Sequence, residues 1–292
     1  MSISPLAKPV MLWITFVSCK LTRGLGLILT GLAGSFNGTA AEYSMISEST
    51  AVSLLGDRQE NQDRVVAVEA DGAALLIAID GMGGHADGER AAELAVETIT
   101  KAFKAQTHPV FDPFGFLHRA VGLAHAAVVQ LGADVDIETR PRATCALCLI
   151  QDDAAFWAHV GDSRIYHLRN GEVVEHSRDH SHVNVLLHDG SITHDQLASH
   201  PMRNYVECCL GGDAELPRMS ISTRKSLLPG DVLLVCSDGF WSPVAAEKIA
   251  GLTEADEALE KGLHKLAKRA TRKSSPHSDN TSAAALRYGA TT

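Results

Sequence analysis

The chain has 292 residues, 45% hydrophobic and 21% charged, an ordinary globular composition with length enough for one large domain. Its 35 acidic residues outnumber 26 basic ones, and the net charge of -9 argues against general binding to phosphate backbones, so no nucleic acid is expected as a partner, while sites that hold cations are compatible with it. The six cysteines, at positions 20, 145, 148, 208, 209 and 236, have neither the spacing of a disulfide framework nor a second pair for a structural zinc site, and read as reduced thiols of a cytoplasmic protein.

Residues 1–45 come first and stand apart. The runs VMLWITFVSC and LGLILTGLAG are apolar but split by Lys20 and Arg23, so neither reaches the roughly 18 to 20 residues of a membrane span. Three readings of this leader stand side by side: an upstream start with the working protein beginning near Met45, a secretory signal with small residues in NGTAAE, or a membrane-proximal anchor. From 46 to 292 no linker, repeat or low-complexity tract interrupts the chain, apart from the polar stretch RKSSPHSDN, and one domain of mixed helix and strand is expected.

Within that domain DRVVAVEADGAALLIAID reads as two strands joined by a tight turn, with Asp63 just before the first strand and Asp80 where the second leaves its sheet. Ala92, Ala95, Val96, Ile99 and Phe103 then fall on one face of a helix, and Phe114, Leu117, Val121, Ala124 and Val128 on one face of a second. The strand AAFWAHV runs into Gly161-Asp162-Ser163 and is followed by a hairpin turning at Asn170-Gly171. DVLLVC ends in Ser237-Asp238-Gly239, and Asp279-Asn280 stands immediately before a final strand.

Five aspartates therefore stand at strand ends. One Asp-Gly or Asp-Asn is more often a simple turn, but repetition at apolar strands asks for another cause. Five converging carboxylates would repel one another unless cations held them together. An all-oxygen set suits magnesium or manganese. Gly81 is expected to let the backbone bend away and offer its carbonyl, with Gly83 and Gly84 leaving room for a substrate.

The ordered segments GDRQENQDR, AIDGMGGHADGERAA, AHVGDSRIYHLRNGEVVEHSRDHS, HPMRNYVECCLGG, LLVCSDGFW and SDNTS resemble the motifs of bacterial PPM-type (type 2C-like) metal-dependent serine/threonine protein phosphatases over residues 46–288. In size the chain is similar to the short members associated with type VI secretion clusters. The resemblance implies an α+β fold, a four-layer α-β-β-α sandwich of two antiparallel sheets flanked by helices, with two Mn2+ or Mg2+ ions at one end. By motif position Asp80 bridges both metals, Gly81 gives its carbonyl, Asp238 and Asp279 complete one shell, and Asp63 or its neighbour supports the other. Asp162, in GDSR, matches the ligand of a weaker third metal. Two departures stand out: Gln62 occupies a place often held by glutamate, and Ser282 replaces the usual threonine.

The implied reaction is hydrolysis of phosphoserine and phosphothreonine in proteins by water activated between the metals, opposing a bacterial serine/threonine kinase. No cysteine has an arginine six positions later, so the loop of cysteine phosphatases is absent. Arg58, five residues before Asp63, matches the family's phosphate-binding arginine, whose planar fork suits a dianion. His85 is either a proton donor to the leaving oxygen or a hydrogen-bonding residue that orients a ligand. His176, His180 and His182 read as solvated loop residues, and residues 183–212 as a mobile flap that selects the substrate. A monomer is expected. A catalytically silent binding module and an exported phosphatase are the competing readings.

Overall fold

The computed structural model describes residues 47–82, 86–197, 199–203, 205–254 and 256–289. The leader expected over 1–45, and with it the choice among its three readings, lies outside them, as do Gly83, Gly84 and His85.

Two antiparallel sheets carry the architecture. The first contains β1 (Ser47–Leu54), β7 (Arg164–Arg169), β8 (Glu172–His176), β12 (Val232–Cys236) and β13 (Thr281–Tyr288), in the order β1-β13-β12-β7-β8. The second is built on β2 (Asp63–Ala70), β3 (Ala73–Met82), β5 (Cys145–Gln151) and β6 (Ala154–Val160). The short strands β4 (Arg142–Ala143), β9 (Leu210–Gly211), β10 (Ser220–Ile221) and β11 (Lys225–Ser226) extend its ends. Asp71-Gly72 closes the β2–β3 hairpin, with Gly72 at φ +68°, a left-handed conformation that glycine adopts at no steric cost. The expected Asn170-Gly171 turn is likewise present, both residues at positive φ.

Alternation within the strands fills three apolar layers. Leu76, Ala78, Cys148, Ile150 and Trp157 of the second sheet meet Ile165, Leu233, Val235 and Leu286 of the first. On the outer face of the second sheet lie α1 (Ala86–Lys104) and α2 (Pro113–Leu131). On the outer face of the first lie α5 (Asp238–Trp241), α6 (Ala246–Ala250) and α7 (Leu259–Ser274). This is the α-β-β-α order the resemblance implies. The predicted α1 stripe is buried, with Val96 at its margin. Along α2 one member of the stripe differs: Phe114, in the first turn, is 41% exposed and meets Phe156 edge-on at 5.3 Å, while Phe116 and Ala120 take the core positions.

The segment expected as a flap holds α3 (His182–His188) and α4 (His194–Leu197). Its two ends are stitched together: the His182 amide donates to the Tyr205 carbonyl at 2.9 Å, and the Glu207 amide to that of His180 at 2.8 Å. His180 corrects the sequence reading of a solvated loop histidine. Its ring is buried, stacks on His159 at 4.6 Å between centroids, and has Nε2 2.8 Å from Ser220 Oγ. The Gly161 carbonyl accepts its amide, which draws the residue under the loop instead of out to solvent.

Candidate metal centre and active site

The carboxylates reach the site by four routes. Asp80 lies near the end of β3, in the second sheet. Asp162 lies in the connection that carries the chain from β6 to β7, from one sheet to the other. Asp238 begins α5 directly after β12, and Asp279 stands two residues before β13. All four line one cleft of about 680 Å³ together with Asp57, Arg58, Gln62, Met82 and Asn280.

Backbone close approach explains the glycines. A Cβ on Gly81 would overlap the carbonyl of Gly88 in the first turn of α1, and one on Gly239 would overlap the carbonyl of Asn280. The Gly239 step brings the Asp279 side chain within 3.2 Å of that Cβ position, so the Asp238 and Asp279 loops meet. The expectation that Gly81 bends the chain away is therefore corrected. Gly81 stays in β3, paired with Ala143, and its missing side chain admits α1.

Fixed polar contacts hold each piece. The Asp80 amide donates to Thr144 Oγ1 at 3.0 Å, its carbonyl accepts the Thr144 amide at 2.8 Å, and Thr144 Oγ1 lies 2.7 Å from Ser163 Oγ. Asn280 ties the Arg58 loop to the last strand, accepting the Gln62 amide at 2.8 Å and donating to the carbonyls of Leu55 and Glu60. Arg58 Nη2 donates to Asp279 Oδ2 at 2.7 Å while its side chain stays 60% exposed at the rim, leaving donors for an incoming anion. Gln62, the departure noted in the sequence, lines the cleft and packs its side chain against Gly88.

Asp63 is placed differently from the others. It pairs in register with Asp80, on the same face of the hairpin, yet it is 2% exposed, does not line the cleft and accepts a hydrogen bond from Ser237 Oγ at 2.7 Å. It stands behind Asp80. Sequence reasoning also missed Thr144, which lies in none of the motif segments, and the supporting roles of Ser163 and Ser237, which stand beside Asp162 and Asp238 in the strand-end triplets.

Electrostatics marks the cluster as a place for cations. Burial, and then the charges of Asp63, Asp238, Asp162 and Asp279, push Asp80 well above the ordinary carboxylate range. Burial first and Asp238 second raise Asp162 to about 8; burial and Asp279 raise Asp238 to about 6. Burial, against the opposing Ser237 bond, raises Asp63 to about 7. Such carboxylates charge readily only beside a positive partner, and the donors are all oxygen, so the residues fit magnesium or manganese. Among the described residues no group of three or more acidic, histidine or cysteine side chains is placed to hold a metal ion by itself. The carboxylates instead border an open cleft, which suits hard cations that retain several waters.

The protein phosphatase 2C family model matches residues 53–280. The serine/threonine protein phosphatase PstP of Mycobacterium tuberculosis is 33% identical over 220 residues, 75% of this chain and 41% of PstP, so the chain spans about two fifths of the length of that relative. Protein phosphatase PhpP of Streptococcus pneumoniae is 32% identical over 215 residues, 71% of this chain and 86% of PhpP. Among solved structures, the Streptococcus agalactiae serine/threonine phosphatase superposes with a TM-score of 0.75 at 27% identity, covering 83% of this chain and 99% of that one. The catalytic domain of PstP in complex with two manganese ions gives 0.68 at 27% identity, covering 84% and 99%.

Proposed function

The chain belongs to the protein phosphatase 2C family, and from that premise we propose that it hydrolyses phosphoserine and phosphothreonine in proteins, with two divalent cations, manganese or magnesium, in the carboxylate cleft. The observation that carries this reading is the convergence of Asp80, Asp162, Asp238 and Asp279 from four separate stretches of the chain on one cleft with Arg58 at its rim.

In this reading Asp80, the Gly81 carbonyl, Asp238 and Asp279 hold the two cations, Asp162 serves a weaker third, and Asp63 supports Asp80 from behind. The cations supply acidification of the attacking water and neutralisation of phosphate charge. The chain's own residues do the positioning. Arg58, aimed by Asp279, offers its remaining N–H groups to the phosphate oxygens. Thr144 grips the backbone of Asp80 from both sides, so the carboxylate is delivered from a fixed strand end. The substrates would be proteins phosphorylated by a serine/threonine kinase of the same cell.

The test is release of phosphate from a phosphothreonine peptide, with manganese and then after exhaustive chelation. Hydrolysis that depends on the metal is expected. Undiminished turnover after chelation would overturn the metal assignment, and no turnover with metal would leave a binding module in place of an enzyme.

A further inference from the structure

A second cavity lies outside the carboxylate cleft. It has a volume of about 840 Å³ between the base of the 183–212 segment and β10, and its walls include Arg164, Arg178, Arg218, Asp179, His180 and Ser220. It is built beside the candidate active site. Arg164 and Asp179 form a bidentate ion pair at 2.8 and 2.9 Å, the Arg164 guanidinium lies 3.3 Å over the Trp241 ring, and Trp241 Nε1 donates to the Asp162 carbonyl at 3.0 Å. Asp162 thus lines the carboxylate cleft and Arg164, two residues on, the second cavity, and the bridge between Ser181 and Val206 joins a wall of each.

Charge distinguishes this cavity. Asp179 is satisfied by Arg164, and Asp189, the other acid on the wall, stands beside His188. Neither the Arg178 nor the Arg218 guanidinium has a hydrogen-bond or ion-pair partner among the described residues, although both are exposed on the same cavity in a chain of net charge -9. His180, behind them, has both ring nitrogens engaged, Nδ1 accepting the Gly161 amide at 3.4 Å and Nε2 facing Ser220 Oγ. The wall is fixed, and among the described residues the unpaired guanidinium groups on it are those of Arg178 and Arg218. An arginine pair without acidic partners matches a carboxylate or phosphate in fork geometry.

We propose that this cavity is a second anion subsite, in which Arg178 and Arg218 bind an acidic or phosphorylated side chain of the substrate a few residues from the phosphoresidue held in the carboxylate cleft. This rests on the phosphatase reading of that cleft and adds a substrate class to it: phosphoproteins with negative charge near the scissile phosphate. The net negative chain would otherwise repel such substrates, and a local positive cavity next to the reaction site overcomes that repulsion for peptides long enough to span both.

The test compares two phosphothreonine peptides, one flanked by glutamates on both sides and one by glutamines, together with p-nitrophenyl phosphate, which is too small to span the clefts. Wild type and the double variant Arg178→Ala/Arg218→Ala are assayed with manganese at low and high salt. Wild type is expected to favour the glutamate peptide about five- to tenfold in kcat/KM through KM at low salt, with the preference shrinking at high salt. The double variant should lose the preference and keep its p-nitrophenyl phosphate turnover and melting temperature. No preference in wild type, or a preference that survives both substitutions, overturns the subsite. Fluorescence anisotropy with a labelled glutamate-flanked peptide carrying aspartate in place of phosphothreonine decides independently of catalysis. A several-fold weaker Kd in the double variant supports the subsite even if wild type hydrolyses nothing, and unchanged Kd removes it. Absent turnover of all three substrates instead counts against the phosphatase reading.

Discussion

Asp80 and Arg58 were legible in the sequence because each sits in a local pattern, a carboxylate at the tip of an apolar strand and an arginine at fixed spacing from Asp63. For Asp80→Asn, turnover of a phosphothreonine peptide at saturating manganese should fall by orders of magnitude, because the proposed bridging charge is lost. Thermal melting of the metal-free variant should match or exceed wild type, since one charge leaves a cluster whose members repel and no cavity opens. Near-normal turnover would show that another residue bridges. Arg58→Ala should raise KM more than it lowers kcat, as expected for a contact made to the phosphate before the reaction begins. A fall in kcat with KM unchanged would place Arg58 in the transition state alone. Asp63 illustrates what the sequence could not show. Its position in the motif matches a ligand, but the register that sets it across from Asp80 also turns it toward Ser237, away from the cleft. That distinction depends on a hydroxyl 174 residues away in the chain.

At the scale of elements, strand alternation, helix stripes and turn residues gave the individual strands and helices, since each is written within a window of about ten residues, while the order of the four layers came from the family resemblance. The connections were less readable. Gly81 and Gly239 look like turn glycines but serve close approach of α1 and of the Asp279 loop, which becomes visible only when two distant backbones meet. The same holds for the Arg164 clamp, where β7 grips Asp179 beyond β8 and covers Trp241 of α5. Asp179 is 7% exposed and Arg164 is 21% exposed, so Arg164→Ala strands a mostly buried carboxylate. The cost should be about 2 to 3 kcal/mol, below the figure for a fully buried pair because water reaches the arginine. Melting temperature should drop by roughly 5 to 10 °C. The double variant Arg164→Ala/Asp179→Ala should recover part of that loss; if it does not, the lost stacking on Trp241 carries the effect and the ion pair contributes little.

For the whole molecule, the convergence of acids from both sheets on one cleft makes stability, proton binding and metal binding a single coupled property. Asp63, Asp238 and Asp162 are raised from 3.8 to about 7, 6 and 8, first by burial and then by the charges of neighbouring aspartates, Asp279 and Asp179 among them, so the folded metal-free protein holds protons that the unfolded chain releases. A raised carboxyl contributes stability in full below the unfolded value near 4 and loses it as pH climbs through the folded value. Melting temperature of the chelated protein should therefore decline between about pH 4 and 8 and level off above. Asp231 acts in the opposite sense outside this window. Its burial would raise it, but Arg169, the Leu228 amide and His167 together hold it below 3.8, so its contribution is lost only as pH falls below about 4. Cations and protons compete for the same oxygens, so the rise in melting temperature on adding manganese should grow from pH 5 to pH 8 as the carboxyls give up their protons. Paired melts with manganese and with chelator across that range measure it directly. A manganese effect that is flat with pH, or larger at pH 5, would mean that the raised carboxyls are not the ones that hold the metal.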